Sequence, residues 1–439
     1  MLRPVQSFAF CVLVMVTTAT ASASAQSGVD TEIDDKLAKE ARLAWIERVA
    51  LARHPALDEA KARSAAVVAR ADGATRFPDP EFKYEQWGVP LKRPYALDRA
   101  DTLMFGLRQA FPAPGARAAR GKVVEQEAKI ATQQREVLAR DLVRRVRRAY
   151  FDYYAADRVL RVHLEHVSVA EQIIEQVRAD YGIGRGSQQD VLKVLVELSR
   201  LHNDLAEIRQ QRESSRSMLN SLMARAPDAP LGPPVEVERP HTLPATEQLN
   251  QARVQRRPEL AAAERTIRRS QASLEAAQIS ARRPSFMVGA DYWLMPTQDM
   301  PHAYGAMVAM SLPWLNPGRR ADVREAEQLV AADRHAARAI EAVTAFELHD
   351  ALTRLEAANA SLDLIEGSVL PQAEKSLEAT KAAFGVGQAS LLALLDSLRS
   401  YFQIRLEHSR AASRVMGQLA EIEFASGASI LTAAAEPQP

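Results

Sequence analysis

Cysteine is nearly absent from this 439-residue chain, in which Cys11 is the single example. One thiol excludes an intrachain disulfide and a zinc site built on several cysteines. Charge of one sign is not in excess either, because 56 Lys and Arg residues oppose 55 Asp and Glu residues for a net charge of +1. The balance argues against a nucleic-acid-binding protein that depends on a basic excess.

Long hydrophobic runs are also missing once the first 25 residues are set aside. Those residues are typical of a signal peptide, with a positive start at Arg3, an apolar run over 8–16 and the small residues Ala23-Ser24-Ala25 before Gln26. No later stretch offers the roughly 20 apolar residues of a spanning helix. We therefore expect an exported, cysteine-free mature chain that is periplasmic, secreted or held in a membrane by β-strands.

Enzymatic motifs are a third absence. The sequence has no Walker A loop, no HExxH pair and no G-x-S-x-G elbow. We therefore expect no enzyme activity and no cofactor.

The chain contains two copies of one pattern of turns, separated by about 203 residues. Four anchors recur in the same order: 54–57 with 257–260, 80–82 with 284–286, 111–115 with 312–318, and 181–184 with 384–387. Repeated anchors at a nearly constant offset predict an internal structural duplication. The expected divisions are a signal peptide over 1–25, a first repeat over 26–225, a Pro-rich connector over 226–250, a second repeat over 251–426 and a tail over 427–439.

Each repeat predicts the same series of elements. A helix (about 52–76 and 257–282) precedes two strands with alternating faces (about 80–88 and 102–112, then 284–294 and 303–313). A long helix follows (116–181 and 319–384), and ~66 residues at ~1.5 Å each span about 100 Å. A Gly-x-Gly turn reverses the chain. A return helix then carries apolar residues every three to four positions, over 188–223 and 391–425, which favours coiled-coil packing.

These elements predict a mainly α-helical protein with a small membrane β-barrel. Four strands are too few to close a barrel, for which about eight is the minimum. Three copies of the chain would supply twelve strands, and the long helices would continue the barrel as an α-helical tunnel. The sequence therefore predicts a homotrimeric conduit.

This series of elements resembles the TolC family of outer-membrane efflux proteins. The resemblance covers about residues 40–425 and includes the recurrent Tyr/Phe-Gly-x-Gly-x-x-Ser turn at Tyr181 and Phe384. It implies a trimeric channel in the outer membrane of a Gram-negative bacterium, with a large periplasmic part, a periplasmic adaptor and an inner-membrane pump. The segments 77–82 and 109–115 are similar to a subgroup that serves heavy-metal cation pumps of the resistance-nodulation-division type.

The family closes its periplasmic end with two aspartates three residues apart on the second return helix. Those positions are Ala393 and Asp396 here, so only Asp396 matches the pattern. The equivalent first-repeat position is Asp190, whose Ser187-x-x-Asp190 spacing also predicts a helix cap. Both aspartates are gate candidates. The adaptor would contact the turns, whose glycines are Gly182, Gly184, Gly186, Gly385 and Gly387.

A weaker metal hypothesis concerns the predicted hairpin loop over 294–303. Met295, Met300 and His302 carry ligand types that suit Cu(I) or Ag(I), although their spacing is irregular and also fits plain loop residues. Two features of the first long helix have plainer interpretations. The arginine cluster over 144–148 predicts a solvated or salt-bridged face, and the pair His163 and His166 lacks an evident third ligand.

Several functions stay open at this point. The channel could export heavy metals, drugs or solvents, or serve type I secretion, because a wide duct is not where substrate is selected. A periplasmic coiled-coil scaffold without a pore is an alternative of another class, but it explains neither the hairpins nor the duplication. A periplasmic hydrolase lacks its motifs.

Overall fold

The structure is a computed structural model that describes residues 32–89, 92, 95, 97–240, 242–295 and 302–431. The predicted signal peptide and most of the predicted tail lie outside these residues. Within them, the first half of the chain contains a helix α1 over 32–39, the helices α2 (Leu43–Arg53) and α3 (Pro55–Ala74), the strands β1 (Glu81–Trp87) and β2 (Thr102–Phe111), and the helices α4 (Ala116–Gly182) and α5 (Gln188–Leu222).

The second half of the chain has a matching series. Its elements are α6 (Thr246–Arg256), α7 (Pro258–Arg282), β3 (Phe286–Leu294), β4 (His302–Met310), α8 (Gly318–Leu364), α9 (Leu370–Gly385) and α10 (Leu391–Ser426). The corresponding turns and helices of the two halves therefore recur at the offset that the sequence suggests.

The helix predicted over 52–76 is wrong at its start, whereas the one predicted over 257–282 agrees with α7. In place of one helix over 52–76 there are two, α2 and α3, and α6 similarly precedes α7. The break falls at His54 and Arg257, which have extended ψ angles of 120° and 118°. Each residue precedes a proline, and the proline ring disfavours a helical conformation at the position before it.

The second long helix is interrupted, although the sequence predicted one helix over 319–384. A π-helical segment, Ile365–Val369, separates α8 from α9. Pro371 lies in the first turn of α9 and has no N–H for the carbonyl of Gly367, four residues earlier. A wider turn just before a proline accommodates this loss, and such bulges concentrate at functional positions.

The four strands form one antiparallel sheet in the order β1-β2-β3-β4. The two hairpins are therefore joined edge to edge, because β2 pairs with β3 from Leu103 opposite Leu294 to Phe111 opposite Phe286. In the described strands, β1 and β4 each have one neighbour and form the two edges of the sheet.

The contacts divide the chain into two compact units, each drawing on both halves of the sequence. The sheet unit contains Ala56–Leu138 and Arg257–Ala345. The helical unit contains the described residues up to Pro55, together with Ala139–Arg256 and those from Phe346 onward. Among the described residues, no helix combines the length and apolar character needed to cross a bilayer.

The core of the helical unit lies where α4, α5 and α10 pack together. Its buried side chains include Val162, Ile174, Val194, Leu398 and Phe402. The α10 members of this core, among them Leu398 and Phe402, recur every three or four residues, as the apolar periodicity predicts for a packed helix.

Tyrosines of α4 hold the connector between the two halves. Tyr150 is fully buried, and its single O–H lies within hydrogen-bonding distance of the carbonyl oxygens of Ala41, at 3.0 Å, and Val235. Tyr153 donates to the carbonyl of Gly232 at 3.0 Å, and burial raises the pKa of Tyr153 to about 12. The Pro-rich connector is thus fixed by buried hydroxyl groups and contains no helix in its described residues before 246, whereas the last residues of the predicted connector, 246–250, are wrong because they belong to α6.

Candidate functional site: a two-faced sheet and two helical turns

One face of the sheet, here called the apolar face, carries no Asp, Glu, Lys or Arg. Side chains alternate between the faces of a sheet, so the strand register assigns each residue to one of them. The apolar face consists of Phe82, Tyr84, Gln86, Leu103, Phe105, Leu107, Gln109, Phe111, Phe286, Val288, Ala290, Tyr292, Leu294, His302, Tyr304, Ala306, Val308 and Met310.

Much of the apolar face is open in a single chain. Phe82 is 71% exposed, Val308 72% and Tyr304 91%. An uncharged surface of this extent is unfavourable in water and marks a site of contact with lipid or protein.

The opposite face, here called the polar face, carries every charged side chain of the four strands: Glu81, Lys83, Glu85, Arg108 and Asp291. The separation is complete, because all five charged residues of β1, β2 and β3 fall at positions that point to this one face. A sheet that separates lipid from an aqueous interior has this arrangement of side chains.

Two glycines make room for larger groups on the polar face. A β-carbon on Gly106 would overlap an oxygen of Asp291, and one on Gly305 would lie 2.6 Å from the Trp293 ring. Asp291 is nearly buried beside Arg108, whose guanidinium nitrogen lies 3.9 Å from a carboxylate oxygen. The glycines therefore let the larger side chains lie flat across neighbouring strands.

The first helical turn joins α4 to α5 and closes with a set of backbone hydrogen bonds. The N–H groups of Arg185 and Gly186 both donate to the carbonyl of Asp180, at 2.8 and 3.1 Å. Gly184 has a φ of +76°, which a residue with a β-carbon adopts at a cost. Ile183, at the turn, is 67% exposed.

The second turn joins α9 to α10 and repeats the same bonds 203 residues later. Gln388 and Ala389 donate to the carbonyl of Ala383 at 2.8 and 3.2 Å, and Gly387 has a φ of +77°. Val386 is 71% exposed. The two turns therefore share their geometry as well as their glycine spacing, and each presents an exposed β-branched side chain.

The glycines of the two turns do not have equal roles. Gly184 and Gly387 hold the positive φ angles, while Gly182 and Gly385 end their helices and have open space where a β-carbon would lie. Gly186 is restricted differently, because a β-carbon there would lie 3.1 Å from the amide nitrogen of Tyr181.

The helix caps after the turns are also matched. The hydroxyl of Ser187 accepts a hydrogen bond from the Asp190 N–H at 3.2 Å and donates to its carboxylate at 2.7 Å. Ser390 accepts from the Ala393 N–H at 3.2 Å. Asp190 is thus part of a cap, and Ala393 occupies the equivalent position without a carboxylate.

Asp396 lies on the exposed side of α10, one turn before Arg399. Hydrogen bonding to Glu197 and the negative charges of Glu197 and Asp396 raise the pKa of Arg399. The guanidinium joins α10 to Glu197 on α5, with an Nη2–Oε2 distance of 2.6 Å. The structure thus places Asp396 beside a link between the two return helices that sequence reasoning missed.

The candidate metal ligands are only partly described. Met300 lies outside the described residues, and Met295 is half-buried just after β3. His302 begins β4, where its ring stacks on Tyr292 at 5.9 Å and its Nδ1 atom bonds the Tyr292 hydroxyl. Among the described residues, no group of three or more His, Cys, Asp or Glu side chains is placed to hold a metal ion.

Solved structures share the arrangement of this chain. A membrane protein from Pseudomonas aeruginosa is 18% identical and covers 88% of this chain and 93% of its own, with a TM-score of 0.74. The MtrE outer membrane channel of Neisseria gonorrhoeae, in its open state, is 19% identical and covers 88% and 89%, with a TM-score of 0.73. The VceC outer membrane protein of Vibrio cholerae is 18% identical and covers 88% and 96%, with a TM-score of 0.70.

The chain has a TolC-like channel fold. The predicted mainly helical arrangement is thereby confirmed, while closure of the sheet by further copies remains a prediction. The sequence matches no protein-family model and no curated protein.

The arginine cluster of α4 has the salt-bridged role that the sequence suggested, with one distinction. Arg144 and Arg145 pair with Asp141 at 2.6 and 3.0 Å on a half-exposed surface. Arg147 is buried, and it joins Glu47 at 2.5 Å and Glu423 at 2.7 Å. No pattern in the sequence marks this difference, because the two glutamates lie far away along the chain.

Proposed function

We propose that this protein is the outer-membrane exit duct of a tripartite efflux system and acts passively. The observation that carries the proposal is the complete division of the sheet into an apolar face and a polar face. The apolar face suits acyl chains, and the polar face suits a water-filled interior. The TolC-like fold supports the same conclusion.

The functional unit in this proposal is a homotrimer. Edge strands left open in lipid would leave backbone N–H and C=O groups without partners, at a cost of several kcal/mol each. Pairing β4 of one copy with β1 of the next removes both edges. Three copies then form a twelve-stranded barrel, which exceeds the minimum of about eight strands.

The helical turns are the proposed periplasmic tip, where the adaptor docks. Ile183 and Val386 supply exposed apolar groups at matching positions of the two turns. The adaptor in turn connects the duct to an inner-membrane pump, which supplies the energy. The proposed gate contains Asp396, and Asp190 adds a carboxylate near the other turn despite its role as a cap.

Heavy-metal cations are the proposed substrates, exported with a pump of the resistance-nodulation-division type. The similarity of segments 77–82 and 109–115 to the heavy-metal subgroup supports this choice. Three thioethers, those of Met104, Met287 and Met307, fall on the polar face and suit soft cations. Growth of a strain that lacks the protein tests the choice of substrate. Sensitivity to silver, copper or zinc salts is expected. Sensitivity to drugs or solvents alone would contradict the metal proposal.

Single-channel conductance in planar bilayers tests the duct itself. We expect the mature trimer to insert and to show a low, steady conductance that rises in Asp396→Ala. Asp204→Ala is the matched control, because Asp204 is an exposed aspartate further along a return helix. A folded preparation that never conducts would contradict the duct, and equal conductance in all three proteins would remove Asp396 from the gate.

A further inference from the structure

The chain turns a corner between β4 and α8, and this corner exposes three large apolar side chains. Leu312 is 43% exposed, Trp314 51% and Leu315 69%. Pro313, between them, is buried and begins a short 3-10 helix that ends at Leu315. Pro313 is therefore the buried residue of the corner, while the larger apolar side chains on either side of it stay exposed.

Backbone hydrogen bonds fix this conformation. Leu315 donates to the carbonyl of Leu312 and Asn316 to that of Pro313, both at 3.1 Å. The side-chain oxygen of Asn316 then accepts from the Gly318 N–H at 2.9 Å. Because these hydrogen bonds hold the backbone from Leu312 to Gly318, the fold itself sets the exposed position of Trp314.

Two exposed arginines, Arg319 and Arg320, follow within one turn. The first lies 3.5 Å from a carboxylate oxygen of Asp322, a distance at the outer limit of a hydrogen bond. The corner thus places an indole and a leucine beside two guanidinium groups, on a segment that leads out of the apolar face at Met310.

The equivalent corner of the first half is built differently. Its Ala113 and Ala116 are only 7% and 4% exposed. The guanidinium of Arg117 lies 3.6 Å from the centre of the Phe77 ring and is engaged within the chain. Phe111, the equivalent of Leu312, is 37% exposed, so an exposed apolar residue before the proline is common to both corners. The exposed tryptophan, the leucine after it and the two exposed arginines belong to the second corner.

We propose that the second corner, residues 312–320, binds the phospholipid leaflet that faces the periplasm. This inference rests on the proposed function, which places the apolar face in lipid. Trp314, Leu312 and Leu315 lie at the boundary of the acyl chains, where tryptophan is enriched. Arg319 and Arg320 bind lipid phosphates, and the leaflet's anionic lipids are preferred.

Lipid fits this surface better than a second copy of the chain does. The corner is continuous with an uncharged face, and its two adjacent cations lie where that face ends. This order, apolar residues followed by arginines, is that of a membrane-interface segment. The cores of protein interfaces are instead depleted of charge.

The test uses the mature protein in vesicles of phosphatidylcholine with brominated acyl chains. Emission of Trp314 is isolated by subtracting that of Trp314→Phe, since the chain has four tryptophans. We expect bromines near the headgroup to quench Trp314 more strongly than bromines near the chain ends. Brominated phosphatidylglycerol should quench it more than brominated phosphatidylcholine, by roughly twofold or more.

The preference for phosphatidylglycerol should disappear in Arg319→Gln/Arg320→Gln. It should persist in Arg334→Gln/Arg338→Gln, which removes two exposed charges further along α8. If Trp314 is quenched by neither lipid while the protein still conducts, a second copy covers the corner and the inference is overturned, although the duct stands. A protein that neither inserts nor conducts overturns both.

Discussion

Glu197 and Arg399 form a two-point ion pair between the return helices of the two halves. The guanidinium donates from Nη2 to Oε2 at 2.6 Å and from Nε to Oε1 at 3.3 Å. Glu197 keeps 10% of its side-chain exposure, whereas Arg399 keeps 51%. The pair therefore places a nearly buried carboxylate under an accessible cation, one turn from the gate candidate Asp396.

Removing the arginine should destabilise the helical unit. Arg399→Gln leaves the Glu197 carboxylate without its partner, and we expect a loss of roughly 1–2 kcal/mol, less than for a fully buried pair because Arg399 is half exposed. Unfolding in guanidinium chloride, followed by circular dichroism, measures the loss. The double variant Glu197→Gln/Arg399→Gln should recover most of it, and a double variant whose loss equals the sum of the two single losses would contradict the pairing.

The buried Arg147 should matter far more than its neighbour Arg145. Arg147 joins glutamates of α2 and α10, so Arg147→Gln removes the cation from two nearly buried carboxylates and should cost roughly 3 kcal/mol. The cost is at the lower end for a buried pair because Glu423 keeps the N–H groups of Ile430 and Leu431, at 3.1 and 2.9 Å. Arg145 pairs with Asp141 on a half-exposed surface, and Arg145→Gln should cost about 1 kcal/mol or less. Equal losses in the same unfolding experiment would show that the Arg147 network contributes no more than a surface pair.

The glycines of the turns offer an internal comparison. Gly184→Ala and Gly387→Ala force a β-carbon into a left-handed conformation and should each cost roughly 1–2 kcal/mol. Gly182→Ala and Gly385→Ala change helical residues with open space, so they should be neutral or stabilise by about 0.5 kcal/mol. Similar effects at all four positions would mean that the turns relax and that φ does not decide which glycines are needed.

His166 should make stability depend on pH. Its ring is buried and stacked on Phe402 at 4.3 Å, and its surroundings include His163, Glu197 and Arg399. Burial, followed by the charge of His163, lowers the pKa of His166 to about 4, from 6.5 when unfolded. Between pH 4 and pH 6.5, the unfolded chain therefore binds more protons at this residue than the folded chain does.

The stability of the folded protein should thus fall as pH decreases from about 6.5 to about 4, by roughly 3 kcal/mol in all for this group. Above pH 7 the ring is neutral in both states and the effect vanishes. Unfolding curves at pH 7.5 and 5 measure it. His166→Phe keeps an aromatic ring beside Phe402 and should reduce the difference by about 2 kcal/mol; an unchanged difference would assign the pH dependence to other groups.

Glycine and proline explain why much of the fold could be predicted from sequence. The turns at Gly184 and Gly387, and the ends of the long helices before them, follow from residues whose backbone preferences act locally. Helix α2 was missed because an eleven-residue helix shows little periodicity, and its end depends on Pro55.

Contacts between distant segments could not be predicted. The pairing of β2 with β3 joins strands about 180 residues apart along the chain. The sequence of neither strand identifies the other as its partner, because pairing within each hairpin already explains the alternation of side chains. Glu197 and Arg399, and Arg147 with its glutamates, are similarly ordinary charges on helices until the packing places them together.

Closure of the sheet by further copies of the chain is the central claim, and cysteine cross-linking tests it most directly. The mature chain is expected to lack cysteine, so pairs can be introduced on edge strands β1 and β4: Tyr84→Cys with Tyr304→Cys, Ala306→Cys or Val308→Cys. Leu107→Cys with Ala290→Cys is the control, because these residues are opposite each other within one sheet. The account predicts disulfide-linked dimers and trimers for at least one edge pair and monomers for the control; monomers alone for every edge pair, with the control cross-linked, would contradict it.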